Sequence, residues 1–260
     1  MQRNPASLVL HQARYDLQAV RANRQARFTT LFMPILLLVV IVGVTGDTPI
    51  RDGGATLDPA TFYVPGVIAF AVIASSLMSL VVDLVLQRET GVLKRRRARP
   101  IPAWTLVAAR ILVAVGTSLA VSILVLVVAG NGYDARIPAT GVPALILFVV
   151  IGSASLSAIA YALSTLISST ASAQPMIALV TLPLYLISGV FFPASSLPSL
   201  LDRTAQAFPL EHLAHGLRHA LAPGAGAVPI DGVDIAVLTA WGLLGVAVAL
   251  RRFRWLPQAR

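Results

Sequence analysis

Six long apolar stretches, separated by shorter polar ones, leave this 260-residue chain few ways to fold. They run roughly from Phe28 to Gly46, Val64 to Leu86, Trp104 to Gly130, Val142 to Ile167, Pro175 to Phe192 and Val233 to Leu250. A helix needs about 20 mostly apolar residues to cross a bilayer's hydrocarbon, where every backbone polar group must be satisfied within the protein. The expected fold is therefore an all-α membrane protein with six transmembrane helices and both termini on one side. Composition agrees: 57% of residues are hydrophobic, 12% are charged and the mean hydropathy is +0.80, which excludes a soluble globular domain. The first apolar run contains Pro34 and lacks a small-residue cleavage site, so it reads as a span rather than a secretory leader.

The net charge of +9 is unevenly placed. Sixteen of the 20 basic residues fall in segments that share a side with the N-terminus, including Arg88, Lys94, Arg95, Arg96, Arg97 and Arg99 between spans two and three. The other side holds four: Arg51, Arg136, Arg203 and Arg218. Basic loops are retained in the cytoplasm, so both termini are expected inside a plasma (inner) membrane. Such a bias in an apolar chain points to membrane lipids as partners and away from nucleic acid.

Before span one, Ala6, Leu10, Ala13, Leu17 and Val20 recur at helical spacing, flanked by Arg14 and Arg21, and predict an amphipathic interface helix. Between spans two and three, Glu89 and Gly91 precede the basic run and Pro100 and Pro102 end it, which predicts a short shaped element. The segment Asp47 to Thr61 reads as a solvated turn-forming loop. The segment from Pro193 to Gly232 carries leucines throughout, and amphipathic helices in or dipping into the outer interface fit it best.

Three features, in order, resemble a type-2 ATP-binding cassette (ABC) exporter permease of the drug- and lipid-exporting kind. They are the basic helix before span one; Glu89-Thr90-Gly91-Val92-Leu93 through Pro100 to Arg110; and Leu182-Pro183-Leu184-Tyr185-Leu186-Ile187-Ser188-Gly189-Val190-Phe191-Phe192-Pro193, followed by Leu197-Pro198 and Phe208-Pro209-Leu210-Glu211-His212. The resemblance implies an interface helix over residues 1–27 and a six-helix membrane domain over 28–260. Within that domain it implies a coupling loop at 87–103 and an outer re-entrant region at 193–232. It also implies a half-transporter that pairs with a second permease copy or a paralogue and rests on a cytoplasmic ATP-binding subunit. Glu89, Gly91, Leu93, Lys94, Arg95 and Arg96, with Arg14 and Arg21, would receive the motion of that subunit. Spans two and five would face the central pathway, making Ser75, Leu77, Met78, Ser79, Leu182, Tyr185 and Ile187 the candidate substrate contacts.

A phosphate-cradling loop needs a Gly-Lys pair, and the one lysine, Lys94, follows Leu93. The chain is thus expected to be no enzyme by itself and to bind no cofactor, with ATP and Mg in the partner subunit. Asp83, inside span two, is expected to pair with Arg88, Arg110 or interfacial water rather than to carry protons. His212, His215 and His219 share helical spacing, yet the order Glu-His-x-x-His is not the protease zinc motif, so no metal is expected there. Small residues four apart in span four, Ala154, Ala158 and Ala162, predict close helix packing. The alternative function is a secondary transporter driven by an ion gradient, although no internal repeat supports it. An intramembrane enzyme lacks the convergent acid-base groups it would need.

Overall fold

A helix apolar on every face needs protein or lipid against every face, and the second apolar stretch is of that kind and is covered mainly by protein. The computed structural model describes residues 5–22, 24, 28–46, 48–52, 55–92, 103–188, 190, 198–222 and 230–252. The elements are α1 (Pro5–Ala22); a π turn (Phe28–Phe32) leading into α2 (Met33–Thr45); a hairpin of β1 (Ile50–Asp52) and β2 (Ala55–Leu57); α3 (Pro59–Ile73), a second π turn (Ala74–Met78) and α4 (Ser79–Glu89) in one rod; α5 (Ala103–Gly132); α6 (Val142–Ser164); α7 (Thr170–Ile187); α8 (Ser199–Ala205); α9 (Pro209–Leu221); and α10 (Gly232–Arg252). The chain is an all-α membrane protein. Among the described residues, five helices are long and apolar enough to cross a membrane, and a sixth apolar helix, Thr30–Thr45, is shorter.

The α3–α4 rod is the axis of the molecule. It is 31 residues long and 72% of its most apolar segment is buried, against 22% for α7 and 17% for α10. It starts at Pro59, earlier than hydropathy suggests, because Asp58 accepts bonds from the Thr61 backbone N–H (3.1 Å) and hydroxyl (2.7 Å). That is a helix cap satisfying amides that would otherwise lack partners. The loop expected over Asp47 to Thr61 contains an antiparallel pairing of Ile50 with Leu57. The fifth stretch becomes helical at Thr170, where Ser169 and Ser172 form a reciprocal cap, and the helix continues through Pro175 and Pro183.

α6 and α10 form the most extensive helix pair among the described residues. Their small residues make this possible: a Cβ on Gly245 would lie 2.7 Å from the Ala158 carbonyl carbon, and one on Gly242 would lie 3.2 Å from Ser155 Cα. Close approach at small residues replaces the hydrophobic drive that lipid removes. At the end of the bundle opposite α1, α9 packs against α3, α6 and α10, burying Leu210, Leu213, Leu217 and Leu221. Gly141 lets it in, since a Cβ there would sit 1.6 Å from the Ala220 carbonyl oxygen.

The packed face of α1 is rotated from the expected stripe. Ala6 and Leu10 are exposed, whereas Ala13 and Asp16 are buried and Val9, Gln12, Leu17 and Val20 are half-buried, against α5. A charge causes the rotation: Arg110 of α5 draws Asp16 inward, with Nε 3.4 Å from Oδ2. Arg14 and Arg21 remain exposed.

Candidate functional site

Both π turns among the described residues border one cavity of about 210 Å³. A π turn inserts an extra residue into a helix and re-aims its side chains, and such turns gather at functional sites. The first contributes Thr30, and the second contributes Ala74, Ser75 and Met78. Asp16, Ala19 and Val20 of α1 close one wall, and Arg110, Val113, Ala114 and Thr117 of α5 another. Ser79, Leu80, Val82, Asp83 and Leu86 of α4 and Gln174 of α7 complete the lining. The lining is mostly apolar, with the hydroxyls of Ser75, Ser79 and Thr117 on the spans and the charged groups of Asp16, Asp83 and Arg110 where α1 meets α4 and α5.

Those charged groups form an ion triad. Arg110 pairs with Asp83 through Nη1 and with Asp16 through Nε, bridging α5 to both α4 and α1. Gln87 and Gln12 donate to the two carboxylates, at 3.0 Å to Asp83 and 3.1 Å to Asp16. Of the partners considered for Asp83, the protein thus uses Arg110. Arg88 is buried elsewhere and donates to the carbonyls of Ser164 (2.9 Å) and Ile167 at the end of α6.

The candidate substrate residues divide by position. Ser75, Met78 and Ser79 line the cavity. Ser75 is also structural: its hydroxyl meets the Ala71 carbonyl at 2.8 Å and the Ser118 hydroxyl at 2.7 Å, joining the second π turn to α5. Leu77 is in the core, 4% exposed, and does not line the cavity. Tyr185 is buried beside Phe70, with ring centroids 5.2 Å apart; Ile187 is half-buried; Leu182 is exposed. None of these three borders the cavity, where Gln174 represents α7. Hydropathy concealed Thr30 and Gln174, because single polar residues at the ends of apolar runs look like ordinary span boundaries, Thr117, because one hydroxyl leaves a long apolar run apolar, and Asp16, because it reads as a solvated charge on a basic helix. The serine cluster from 75 to 79 was the legible signal.

The coupling candidates begin where α4 ends. Glu89 accepts from the Thr170 backbone N–H (3.0 Å) and from its hydroxyl, so its carboxylate caps α7. Gly91 has φ +69, a left-handed conformation that suits glycine just past a helix end. Leu93, Lys94, Arg95 and Arg96 lie outside the described residues.

A second polar cluster stands at the opposite end. Asp234 is buried in the first turn of α10. Its two oxygens meet His212 Nδ1 and His215 Nδ1, each at 2.7 Å. His212 Nε2 bonds the Gln206 carbonyl at 2.9 Å, and Arg218 donates to Glu211 at 3.0 Å. Burial pushes the Glu211 carboxyl above the usual carboxylate range despite Arg218, and burial with His215 nearby pushes His219 down.

No curated protein matches the sequence significantly. Residues 8–222 match the family model described as ABC-2 type transporter, a match that takes in α1, the ion triad, both π turns and α9. Members are multi-pass permease subunits that lack an ATPase site and work with a cytoplasmic ATP-binding subunit. This chain belongs to the ABC-2 type transporter family.

Proposed function

We propose that the chain is the membrane half of an exporter that moves an amphiphilic substrate, a drug or a lipid, outward with ATP hydrolysed on a separate subunit. In this reading α2, the α3–α4 rod, α5, α6, α7 and α10 are six spans, and the charge bias puts both termini in the cytoplasm. The segment containing α8 and α9 is then the outer re-entrant region. The observation that carries the reading is the cavity between α1 and the spans. It combines apolar side chains with hydroxyls and one charged cluster, as an amphiphile requires, and its wall includes the helix expected to lie against the motor.

A second permease, identical or paralogous, would complete the pathway. The face of α7 with Leu179, Leu182 and Leu186 exposed supports such a pairing. Residues 87–103, with Arg14 and Arg21, would meet the ATP-binding subunit, which would hold ATP and Mg. ATP-driven closure of that subunit would push α1 and the end of α4, and the ion triad and the Glu89 cap would pass the push to α5 and α7.

The experiment is a search beside this chain's reading frame for one that encodes a P-loop protein, co-purification of that product with this chain, and reconstitution in vesicles. Complex formation, ATPase activity dependent on this chain and ATP-dependent efflux of an amphiphilic dye are expected. Failure to associate, with efflux that collapses when the ion gradient is removed, would establish the secondary-transporter alternative instead.

A further inference from the structure

We infer that His215, Asp231 and Asp234 form a binding site for a borderline divalent cation of the zinc type, at the end of the bundle opposite α1. One ligand atom from each of the three lies within 4.8 Å of those of the other two. Two elements supply them, the exposed side of α9 and the entry into α10, so the ion would clasp one to the other. His219, with its ring centroid 4.3 Å from that of His215, puts a further nitrogen donor beside the group.

The chemistry of the set selects the ion. Two carboxylates and neutral imidazole balance a double positive charge, and mixed nitrogen and oxygen donors suit zinc better than calcium or magnesium, which favour all-oxygen shells. Geometry is close to what is needed. His215 Nδ1 and Asp234 Oδ2 are 2.7 Å apart, and ligand atoms bonded at about 2 Å to a tetrahedral ion are about 3.3 Å apart. A small widening therefore exchanges the hydrogen bond for two metal bonds. Asp234 is already oriented from behind, because its other oxygen is held by His212, whose far nitrogen bonds the Gln206 carbonyl. Support of this kind around a ligating carboxylate raises metal affinity.

Access differs among the three. Asp231 is exposed, His215 is half-buried and Asp234 is 3% exposed, so the ion would enter past Asp231 and stop against Asp234. The sequence hid this arrangement, because three histidines on one helix direct attention to a site within α9. The carboxylates come from a separate element about 20 residues on.

The test uses the full-length protein in nanodiscs, stripped with chelator and titrated with zinc chloride alone by calorimetry and with cobalt by visible absorption. We expect one saturable zinc per chain, a cobalt spectrum of tetrahedral nitrogen and oxygen ligation, and a zinc-dependent rise in melting temperature. Asp231→Asn, at an exposed position, folds normally and is expected to weaken zinc binding at least tenfold; His215→Gln does the same. His11→Gln, on α1, leaves binding unchanged. Absence of saturable zinc, or binding indifferent to Asp231→Asn and His215→Gln, would overturn the site and leave a hydrogen-bonded clasp.

Discussion

Glu89 and Thr170 are bonded twice, the carboxylate accepting from both the backbone N–H and the hydroxyl. The last residue of α4 thereby rests on the first turn of α7, where unpaired amides and the helix dipole favour an anion. A displacement of the end of α4 is carried directly into α7. Glu89→Ala should leave insertion intact and cost about 1 kcal/mol or less in stability, since the pair is exposed. It should also lower ATPase stimulation in the reconstituted complex severalfold. Thr170→Val should act in the same direction, and the double variant should be no worse than Glu89→Ala. Additive losses in ATPase assays would show that the two residues act separately.

Arg88 closes the neighbouring joint. Its guanidinium, 3% exposed, serves two carbonyls at the end of α6, those of Ser164 and Ile167. Arg88→Met removes both bonds and leaves the carbonyls without donors, at a cost of about 2–4 kcal/mol. Arg88→Lys should recover less than half of that, because a point ammonium cannot reproduce a planar fork spanning two acceptors. Thermal unfolding in detergent, followed by circular dichroism, ranks the three proteins. Equal melting temperatures for wild type and Arg88→Met would contradict the role.

These joints explain what the sequence could and could not disclose. The all-α membrane fold and the leucine stripe of α9 follow from hydropathy, because burial in lipid and in protein both select apolar side chains. Of the small residues read in α6, Ala158 meets Gly245, whereas Gly242 packs on Ser155 and neither glycine has Ala154 or Ala162 among its nearest neighbours. Asp16 was not legible: a lone carboxylate on a basic helix reads as solvated until Arg110, 94 positions away, is brought beside it. The π turns were hidden for a similar reason, since a single inserted residue leaves the apolar pattern intact. Asp234 was equally hidden: a carboxylate in the first turn of an apolar helix reads as a span boundary until His212 and His215 are brought beside it.

Gly245 and Gly242 should respond differently to the same substitution. An added methyl at Gly245 would meet the Ala158 carbonyl carbon and the Ile159 nitrogen, both at 2.7 Å, and backbone cannot step aside. At Gly242 the nearest atoms are Ser155 Cα at 3.2 Å and the Ser155 hydroxyl at 3.3 Å, a contact that relaxes by tenths of an ångström. Gly245→Ala should therefore destabilise by about 1–3 kcal/mol, and Gly242→Ala by clearly less. Melting curves of the two variants in one detergent provide the comparison. The reverse order would mean that α6 and α10 pack in another register.

Arg110 holds two carboxylates whose surroundings differ, and that difference gives a sharp expectation. Asp16 has a side chain 3% exposed, whereas that of Asp83 is 42% exposed and also receives Gln87. Arg110→Met would take the guanidinium from both, but water can solvate Asp83 while Asp16 would keep a buried charge with no guanidinium beside it. Breaking a buried pair from one side costs about 3–5 kcal/mol, so Arg110→Met should be strongly destabilising and should loosen α1 from α5. Adding Asp16→Asn to that variant removes the stranded charge and should restore much of the lost stability. Adding Asp83→Asn should restore little. Melting temperatures measure the rescue, and protease sensitivity within residues 5–22 reports the release of α1. Equal rescue by the two asparagine substitutions would show that the triad acts as one solvated cluster and not as a buried pin with an exposed flank.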